Sequence, residues 1–241
     1  MSLAEVPAES PSIDILYEIA HENGKVIELS GHTSCPVIKL SESQEDFLMG
    51  ISRNERHNLR RNNKRLEKLG YEVEYYHASL SSDVQKEMDT FVKLHQMRWE
   101  QKDLGGCFKN QQFLDFHKEV LHIFSERGWT SLDFLVVNGE KVAGIYSYTY
   151  DGIYYLYLPG LNPAILPKAS LGRLLLFQCI SQAIEEGYEE VDLLQGASDY
   201  KMGLANKLRR SVIVRFYNKT IRAALSKGIE NGKEVIKVLV R

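Results

Sequence analysis

A candidate anion-binding segment lies where a strand predicted at residues 153–158 leads, through a loop, into a helix predicted at residues 170–186. The first turn of a helix leaves backbone N–H groups without intrahelical partners, and the helix dipole favours negative charge there. Gly172 permits close approach of a ligand, and Ser170 is a candidate N-cap. We therefore expect a phosphate group to bind at Lys168, Ala169, Ser170, Leu171, Gly172 and Arg173, although such a string is also common in ordinary helix starts.

A second group of candidates lies on a helix predicted at residues 82–102. His95 could act as a base near neutral pH, and Arg98, one turn away, could bind an anionic substrate. The structural alternatives are a histidine hydrogen-bonded within the helix packing and an arginine paired with a carboxylate. Trp99 fits a core position better than a functional one, and His117, at the end of an F-x-x-F-H pattern, is interpreted as structural.

The predicted elements that position these residues alternate in a mixed order. Amphipathic patterns predict helices at residues 12–22, 53–69, 82–102, 110–127, 170–186 and 198–207, with a further helix start at Ser43 and a last helix after residue 217. Strands are predicted at residues 25–30, 36–40, 71–77, 131–137, 141–150, 153–158, 190–195 and 211–217, with residues 1–11 as a mobile lead-in. The hairpin signals Asn138-Gly139 and Asp151-Gly152 join three consecutive strands. This order predicts an α+β or mixed α/β fold with one parallel crossover and is not that of a Rossmann fold.

Composition and charge exclude several classes of protein. The 241 residues are 44% hydrophobic and 26% charged, as in ordinary globular proteins, and no apolar run is long enough to cross a bilayer. The absence of a basic signal segment and the three dispersed cysteines indicate a cytoplasmic protein with reduced thiols. No set of His and Cys has the spacing of a metal site, so we expect no metal.

The net charge of −2 hides a strong alternation along the chain. Residues 1–50 carry −7 and residues 69–206 carry −8, whereas residues 51–68 carry +5 and residues 207–241 carry +8. The first basic segment is the helix predicted at residues 53–69, whose Lys and Arg recur at three- and four-residue steps. Such a face could meet an anionic substrate, a phosphate of a cofactor or a nucleic acid, or could simply be solvated. It contains no aromatic residue for base stacking, which makes nucleic acid the weaker alternative.

The segments that carry a family resemblance follow one another in order. They are RHNLRRNNKRLEKLG (56–70), FVKLHQMRWEQKDLGG (91–106), FLDFHKEV (113–120), VAGIYSY (142–148), LPGLNPAILPKASLGRLLL (158–176) and AIEEGYEEVDLLQG…DYK (183–201). Over about residues 36–215 the chain resembles the GNAT superfamily of acyltransferases, in its bacterial CelD-like branch of cellulose and exopolysaccharide biosynthesis, which is related to the FemAB aminoacyltransferases. The resemblance implies a GNAT-like acyl-CoA N-acyltransferase fold, with a central, mostly antiparallel sheet flanked by helices.

The resemblance also implies a division of the chain and a cosubstrate. Residues 70–241 would form the GNAT-like domain, and residues 1–69 an N-terminal extension with a flexible lead, short strands and the basic helix, as the remnant of a preceding domain. The phosphate expected at the start of the helix at 170–186 would be the pyrophosphate of acetyl-CoA. The small–Pro–Gly step usual in the family is here Ser170-Leu171-Gly172, without the proline.

The roles of Tyr200 and Asp199 are implied by the same resemblance. GNAT enzymes often place a tyrosine after the strand that corresponds to residues 190–195, where its hydroxyl protonates the leaving thiolate. The branch usually has Arg-Gly-Asp-Glu ahead of x-Tyr-Lys, and this sequence has Gln195-Gly196-Ala197-Ser198-Asp199-Tyr200-Lys201. The loss of the arginine and both carboxylates puts an acidic catalytic role at 197–198, and the activity itself, in question. Tyr200 as a packing residue remains an alternative.

Several tyrosines lie in the predicted hairpin at residues 141–158. Alternation sends Tyr146 and Tyr148 to one face of their strand, and Tyr155 and Tyr157 to one face of the next. Such residues could hold a sugar ring or a pantetheine arm, or could pack the sheet. Together with Arg98 they are the candidate substrate-binding residues.

The sequence thus predicts an acyl-CoA-dependent N-acyltransferase, most simply an acetyltransferase, that acts on an amino sugar or small amine in polysaccharide or envelope metabolism. The candidate catalytic residues are Tyr200, His95 and Asp199. One alternative is a FemAB-like aminoacyltransferase that uses tRNA, the one case in which a nucleic acid would be a partner. Another is a GNAT module that has lost its activity and binds a ligand or protein.

Overall fold

The computed structural model describes residues 1–101, 103–165, 170–196 and 198–218. Its strands are β1 (Ser2–Pro7), β2 (Lys25–Lys39), β3 (Val73–Ala78), β4 (Thr130–Val137), β5 (Glu140–Tyr150), β6 (Ile153–Leu161), β7 (Glu190–Asp192) and β8 (Lys207–Asn218). Its helices are α1 (Ser12–Glu22), α2 (Gln44–Gly50), α3 (Arg53–Lys68), α4 (Ser81–Glu100), α5 (Gln111–Ser125), α6 (Leu171–Glu185) and α7 (Asp199–Leu204). The mixed α/β class is confirmed.

The main differences from the predicted elements lie near the N-terminus. Residues 1–11 are not an unstructured lead-in, because Ser2–Pro7 form β1, which pairs antiparallel with β8. The two short strands predicted on either side of Gly31 are one strand, β2, in which Gly31 takes a φ of +58° without ending the strand. Pairing with strands far away in sequence stabilises both segments, and local patterns carry no information about it. The predicted last helix lies outside the described residues.

The described residues divide into two compact units, one within residues 1–35 and 208–218 and one within residues 36–207. In the first, β1 and β8 pair at Leu3 with Val214 and at Val6 with Val212, and α1 follows β1. These bounds differ from the predicted division between residues 69 and 70, which assigns α3 to the N-terminal extension. That division stays a prediction.

The larger unit is built on a sheet with the strand order β2-β7-β6-β5-β4-β3. Its neighbouring strands are antiparallel except β6 and β7, which are parallel and are connected through α6. The predicted turns close both hairpins: Asn138 and Gly139 have φ values of 49° and 80°, and Asp151 and Gly152 have 49° and 71°. Positive φ at both central residues is the geometry that matches the twist of the two strands. The predicted, mostly antiparallel sheet is thereby confirmed.

Helices cover both faces of this sheet. Leu132 and Phe134 of β4 pack with α4, and Leu135 and Val137, one residue further along the same strand, pack with α6. Because successive strand residues point to opposite faces, α4 and α6 lie on opposite sides of the sheet. Buried residues follow one another through much of α6, and its Leu175, Cys179 and Ile180 are fully buried. The two core layers hold β6 between α4 and α6.

The basic helix α3 begins and ends as its sequence predicts. The Ser52 side chain accepts a hydrogen bond from the Glu55 amide at the helix start, and Gly70 follows the helix end with a φ of +70°. The Arg56 side chain is not part of a free basic face, since it donates to the carbonyls of Leu48, Met49 and Ile51 at 3.0, 2.8 and 2.6 Å. It thereby caps the C-terminal end of α2.

Candidate functional site

The strands β6 and β7 separate in the middle of the sheet. Their parallel pairing covers Ile153 with Glu190, Tyr154 with Val191 and Tyr155 with Asp192. Strand β7 ends at Asp192, whereas β6 continues to Leu161. The second half of β6 therefore has β5 on one side and a gap on the other.

A β-bulge changes the direction of β6 where this gap opens. Tyr146 pairs with Leu158 and Ser147 pairs with Leu156, so that Tyr157 is an extra residue between two registered pairs. A bulge bends its strand and places two side chains against one partner on the same face. Tyr157 and Leu158 accordingly both pack with the layer under α4.

A cavity of about 340 Å³ occupies this gap. Its walls comprise Leu156 to Leu161 of β6, Ile145 of β5, Arg98 of α4, Ser170, Gly172, Arg173 and Leu176 near the start of α6, and Leu193, Tyr200 and Lys201 beyond β7. Because α4 and α6 lie on opposite faces of the sheet, the cavity is accessible to groups from both faces. Six of the predicted site residues line it, namely Tyr200, Arg98, Tyr157, Ser170, Gly172 and Arg173.

The start of α6 presents backbone donors to the cavity. Its hydrogen bonds begin where Arg173 N–H and Leu174 N–H donate to the Ser170 carbonyl, at 2.9 and 3.1 Å. A Cβ added at Gly172 would meet no atom of the described residues within 4 Å, so none of them fills this face of the first turn. Ser170 holds the N-cap position without a side-chain capping bond, and the Leu171 side chain is buried in the core. Lys168 and Ala169 lie outside the described residues.

Two basic side chains at the cavity are already partnered. Arg173 Nη1 lies 3.2 Å from Oε2 of Glu55, a buried residue of α3. Lys201 Nζ donates to the carbonyls of Leu193 and Gln195, at 2.7 and 2.9 Å, and so holds the segment that follows β7. Neither Glu55 nor Lys201 is among the residues singled out from the sequence.

Arg98 and His95 both contact the bulged strand. Arg98 Nη1 and His95 Nδ1 donate to the Pro159 carbonyl at 3.2 and 3.0 Å. Because a carbonyl only accepts, His95 Nδ1 carries the proton, and its Nε2 faces the Cys107 thiol at 3.2 Å. Burial lowers the pKa of His95, the Pro159 hydrogen bond raises it, and Arg98 lowers it further. His95 does not line the cavity, and its contacts match the structural alternative more closely than a base at the substrate.

Tyr200 reaches the cavity and Asp199 does not. Tyr200 lies in the first turn of α7, about one third exposed, and lines the cavity together with Arg98. Burial lowers the pKa of Arg98, and the nearby Tyr200 raises it. Asp199 is exposed beside it, so that its catalytic role has no support from the cavity lining and stays a prediction.

The four candidate tyrosines lie in different surroundings. Tyr157 lines the cavity, and Tyr146 is fully buried against Phe91 and Tyr157. Tyr148 is held by α5, where its hydroxyl lies 3.3 Å from Nδ1 of His117. Tyr155 pairs with Tyr148 across the hairpin and, like Tyr146 and Tyr148, is not part of the cavity wall. Of these tyrosines, Tyr157 is thus the one with direct access to a ligand.

Within the described part of the chain, no three His, Cys, Asp or Glu side chains come together as a metal site requires. In the same residues, no helix combines the length and the apolar character needed to span a bilayer. The expectation of a metal-free reaction stays a prediction.

Comparison with known proteins gives a family and a fold. Residues 53–202 match the family described as an acetyltransferase (GNAT) domain. No curated protein matches the chain. The match begins at α3 and ends within α7, and therefore includes all the residues that line the cavity.

Solved structures resemble the chain over most of its length. FemX aligns with a TM-score of 0.61 at 10% identity, over 91% of this chain and 72% of that chain. L-PGS from Bacillus licheniformis aligns with a TM-score of 0.54 at 13% identity, over 92% of this chain and 69% of that one. A conserved protein of unknown function from Bacteroides thetaiotaomicron gives 0.56 at 12% identity, over 88% and 68%. At such identities the likeness shows a shared fold and nothing about substrates.

Proposed function

The chain belongs to the GNAT acetyltransferase domain family, and we propose that it is an acyl-CoA-dependent N-acyltransferase with acetyl-CoA as donor and an amino sugar or small amine as acceptor. The observation that carries this proposal is the open first turn of α6 beside the gap between β6 and β7. It combines a helix N-terminus with a cavity that continues to the other face of the sheet.

The residues at this cavity fit a CoA thioester. The amides of Leu171 and Gly172 begin α6, and the open space at Gly172 leaves room for a pyrophosphate. The edge of β6 from Leu156 onward, which β7 no longer pairs with, would receive an extended pantetheine arm by hydrogen bonding along the gap. Bound acyl-CoA would supply an activated acyl group with a thiolate as leaving group.

The remaining cavity residues suit the acceptor and the leaving group. Tyr200, at the mouth of the gap, would donate a proton to the departing sulfur. Arg98, held by the Pro159 carbonyl, would bind a negatively charged or hydroxyl-bearing part of the acceptor with the donors that it keeps free of Pro159. Tyr157 would contact the acceptor on the α4 face. An acceptor linked to polysaccharide or envelope metabolism, as in the CelD-like branch, belongs to this proposal.

Two alternatives remain, and each has an observation in its favour. An aminoacyl transfer that uses tRNA is favoured by the exposed basic residues of α3, among them Arg60 and Arg61. A module without activity is favoured by the residues at 195–198, which lack the arginine and the two carboxylates expected there.

Three measurements distinguish N-acyl transfer, aminoacyl transfer and an inactive module. Titration calorimetry with CoA should give a dissociation constant below about 1 mM, and acetyl-CoA should release thiol in the presence of at least one amine from a panel of amino sugars and small amines. No heat of CoA binding and no rise in melting temperature at that concentration would contradict the proposal. CoA binding without thiol release from any amine would favour the inactive module. Binding of charged tRNA that is lost in Arg60→Glu/Arg61→Glu would favour aminoacyl transfer.

A further inference from the structure

His117 of α5 is a buried histidine that contacts the cavity through one tyrosine. Its Nε2 lies 3.4 Å from the Tyr157 hydroxyl, and Tyr157 lines the cavity. We propose that His117 is a positioning residue, which accepts the proton lost by the acceptor amine through the Tyr157 hydroxyl. This proposal rests on the proposed function.

The bulge in β6 brings Tyr157 to this position. As the extra residue opposite Tyr146, it lies on the same face as Leu158, under α4 and α5. The Tyr157 ring is 5.4 Å from the His117 ring and 5.7 Å from the Tyr146 ring. Tyr157 therefore lines the cavity and also places its hydroxyl beside a histidine of α5.

The polar contacts of His117 differ in kind from those of His95. His95 Nδ1 donates to a carbonyl, which fixes its proton, whereas both ring nitrogens of His117 meet hydroxyls, Tyr148 at Nδ1 and Tyr157 at Nε2. A hydroxyl both donates and accepts, so that a proton can pass along it. The rings of Phe108, Phe113 and Phe116 close the remaining sides, at centroid distances of 5.9, 4.3 and 5.2 Å.

These surroundings keep His117 neutral and able to accept. Burial lowers the pKa of His117, so at pH 7 one ring nitrogen holds a lone pair. Among the titratable groups that contact its ring are Tyr146 and Tyr148 of β5 and Tyr157 of β6, and Cys107 acts electrostatically on Tyr157. Burial raises the pKa of all four, that of Tyr146 to about 12, so they are neutral as well.

In the proposed reaction the acceptor amine loses one proton and the leaving sulfur gains one. As the acceptor nitrogen bonds to the acyl carbon, its N–H bond breaks and the proton moves to the Tyr157 oxygen. The Tyr157 O–H proton moves at the same time to His117 Nε2, which becomes an imidazolium. Tyr200 supplies the proton that the sulfur takes up as the C–S bond breaks. The proton then returns from His117 through the Tyr157 hydroxyl to solvent in the cavity, and Tyr200 takes up a proton from solvent, which restores both groups.

The test compares the pH dependence of matched variants. Tyr157→Phe removes the hydroxyl alone, and His117→Gln removes the titrating group, so both should lower kcat by at least about tenfold while CoA affinity stays within about twofold. In wild type, kcat/KM should rise with pH through the lowered pKa of His117, and this acid limb should be absent from both variants. Tyr150→Phe and His122→Gln, which alter exposed residues of β5 and α5, should behave as wild type.

A second measurement does not depend on turnover. Histidine-labelled protein without ligand should show by NMR a neutral His117 ring with a pKa below 6.5, and Tyr157→Phe should shift the resonance of its Nε2. An acid limb that persists in His117→Gln, or an Nε2 resonance unchanged by Tyr157→Phe, would overturn the proposal. An inactive wild type that binds no CoA would instead overturn the function on which it rests.

Discussion

Arg173 Nη1 lies 3.2 Å from Glu55 Oε2, and this ion pair ties the first turn of α6 to the first turn of α3. Glu55 is buried, and its side chain also lies close to Gly203, where an added Cβ would be 3.6 Å from Oε1. The arginine that the sequence assigns to a pyrophosphate is thus held by a carboxylate. We infer that the pair positions the start of α6 and reduces the positive charge available there.

The Glu55→Gln substitution tests this role. Removing one charge of a largely buried pair should lower the free energy of unfolding by about 1–3 kcal/mol. CoA affinity should be retained or rise several-fold, because Arg173 is released to face the cavity. Urea denaturation and CoA calorimetry measure the two effects. Glu67→Gln, an exposed change on the same helix, is the control, and equal stability of the two variants would contradict the inference.

Substitution at Gly172 tests the phosphate cradle. Aspartate in the first turn of a helix is compatible with the helix dipole, so Gly172→Asp should fold with about the stability of wild type. Its carboxylate would enter the open space and repel a pyrophosphate, which should weaken CoA binding by at least about tenfold, or 1.4 kcal/mol. Gly172→Ala adds a methyl group without charge and should weaken binding much less. Equal CoA affinity of the aspartate and alanine variants would argue against a phosphate at this turn.

Tyr200→Phe separates proton donation from binding. The substitution removes the hydroxyl and keeps the ring at the cavity mouth, so CoA affinity should stay unchanged while kcat falls by about 10²-fold. The rate should recover with an acyl thioester whose leaving thiol is more acidic, because such a thiolate needs no proton. Stopped-flow thiol release measures both rates. A kcat equal to that of wild type would leave Tyr200 as a packing residue.

Gly160 sets the distance between β6 and α4. A Cβ at this position would lie 2.7 Å from the His95 amide nitrogen and 2.9 Å from the Leu94 carbonyl carbon, and backbone atoms cannot rotate away. Gly160→Ala should therefore lower the free energy of unfolding by about 1–3 kcal/mol. Gly50→Ala, whose Cβ would meet no atom within 4 Å, is the matched control in a denaturation series. Equal stability of the two variants would show that α4 can move at little cost.

The sequence predicts those parts of this molecule that follow local rules. Helix α3 can be predicted because Ser52 precedes and Gly70 follows a run of residues with helical periodicity. The two hairpins can be predicted because Asn-Gly and Asp-Gly tolerate positive φ. The start of α6 next to Gly172 is also predicted locally, as a strand, a loop and a helix start in sequence, whereas a bound anion there stays a prediction.

Features that depend on distant partners could not be predicted in this way. The bulge at Tyr157 exists because Tyr146 and Ser147 pair with Leu158 and Leu156, and alternation alone does not show where a register shifts. The Glu55–Arg173 pair joins residues more than a hundred positions apart. The sequence favours a structural role for His117, because its own helix gives no sign of the two tyrosine hydroxyls that its ring nitrogens face.

A buried network below α6 leads to a prediction about pH. The carboxylate of Asp133, fully buried on β4, accepts hydrogen bonds from the hydroxyls of Tyr75 and Tyr154 at 2.5 and 2.6 Å. His77 Nδ1 lies 2.5 Å from the same carboxylate, and His77 Nε2 lies 3.2 Å from Glu186 at the end of α6. Burial lowers the pKa of His77, but hydrogen bonds to Asp133 and Glu186 and their negative charges raise it by more, to about 10.

His77 is therefore protonated in the folded protein at neutral pH, where the unfolded chain has largely lost that proton. Because the folded pKa lies above the unfolded value of 6.5, its stabilising contribution is complete below pH 6.5 and is lost as the pH rises through about 10. His77→Gln should thus lower the free energy of unfolding by about 1–3 kcal/mol at pH 5.5, and the difference from wild type should shrink towards pH 10.5. Denaturant titrations across this range measure the difference, with the exposed His122→Gln as control. A difference that stays constant with pH would mean that His77 is neutral in the fold and that Asp133 is balanced by hydroxyl groups alone.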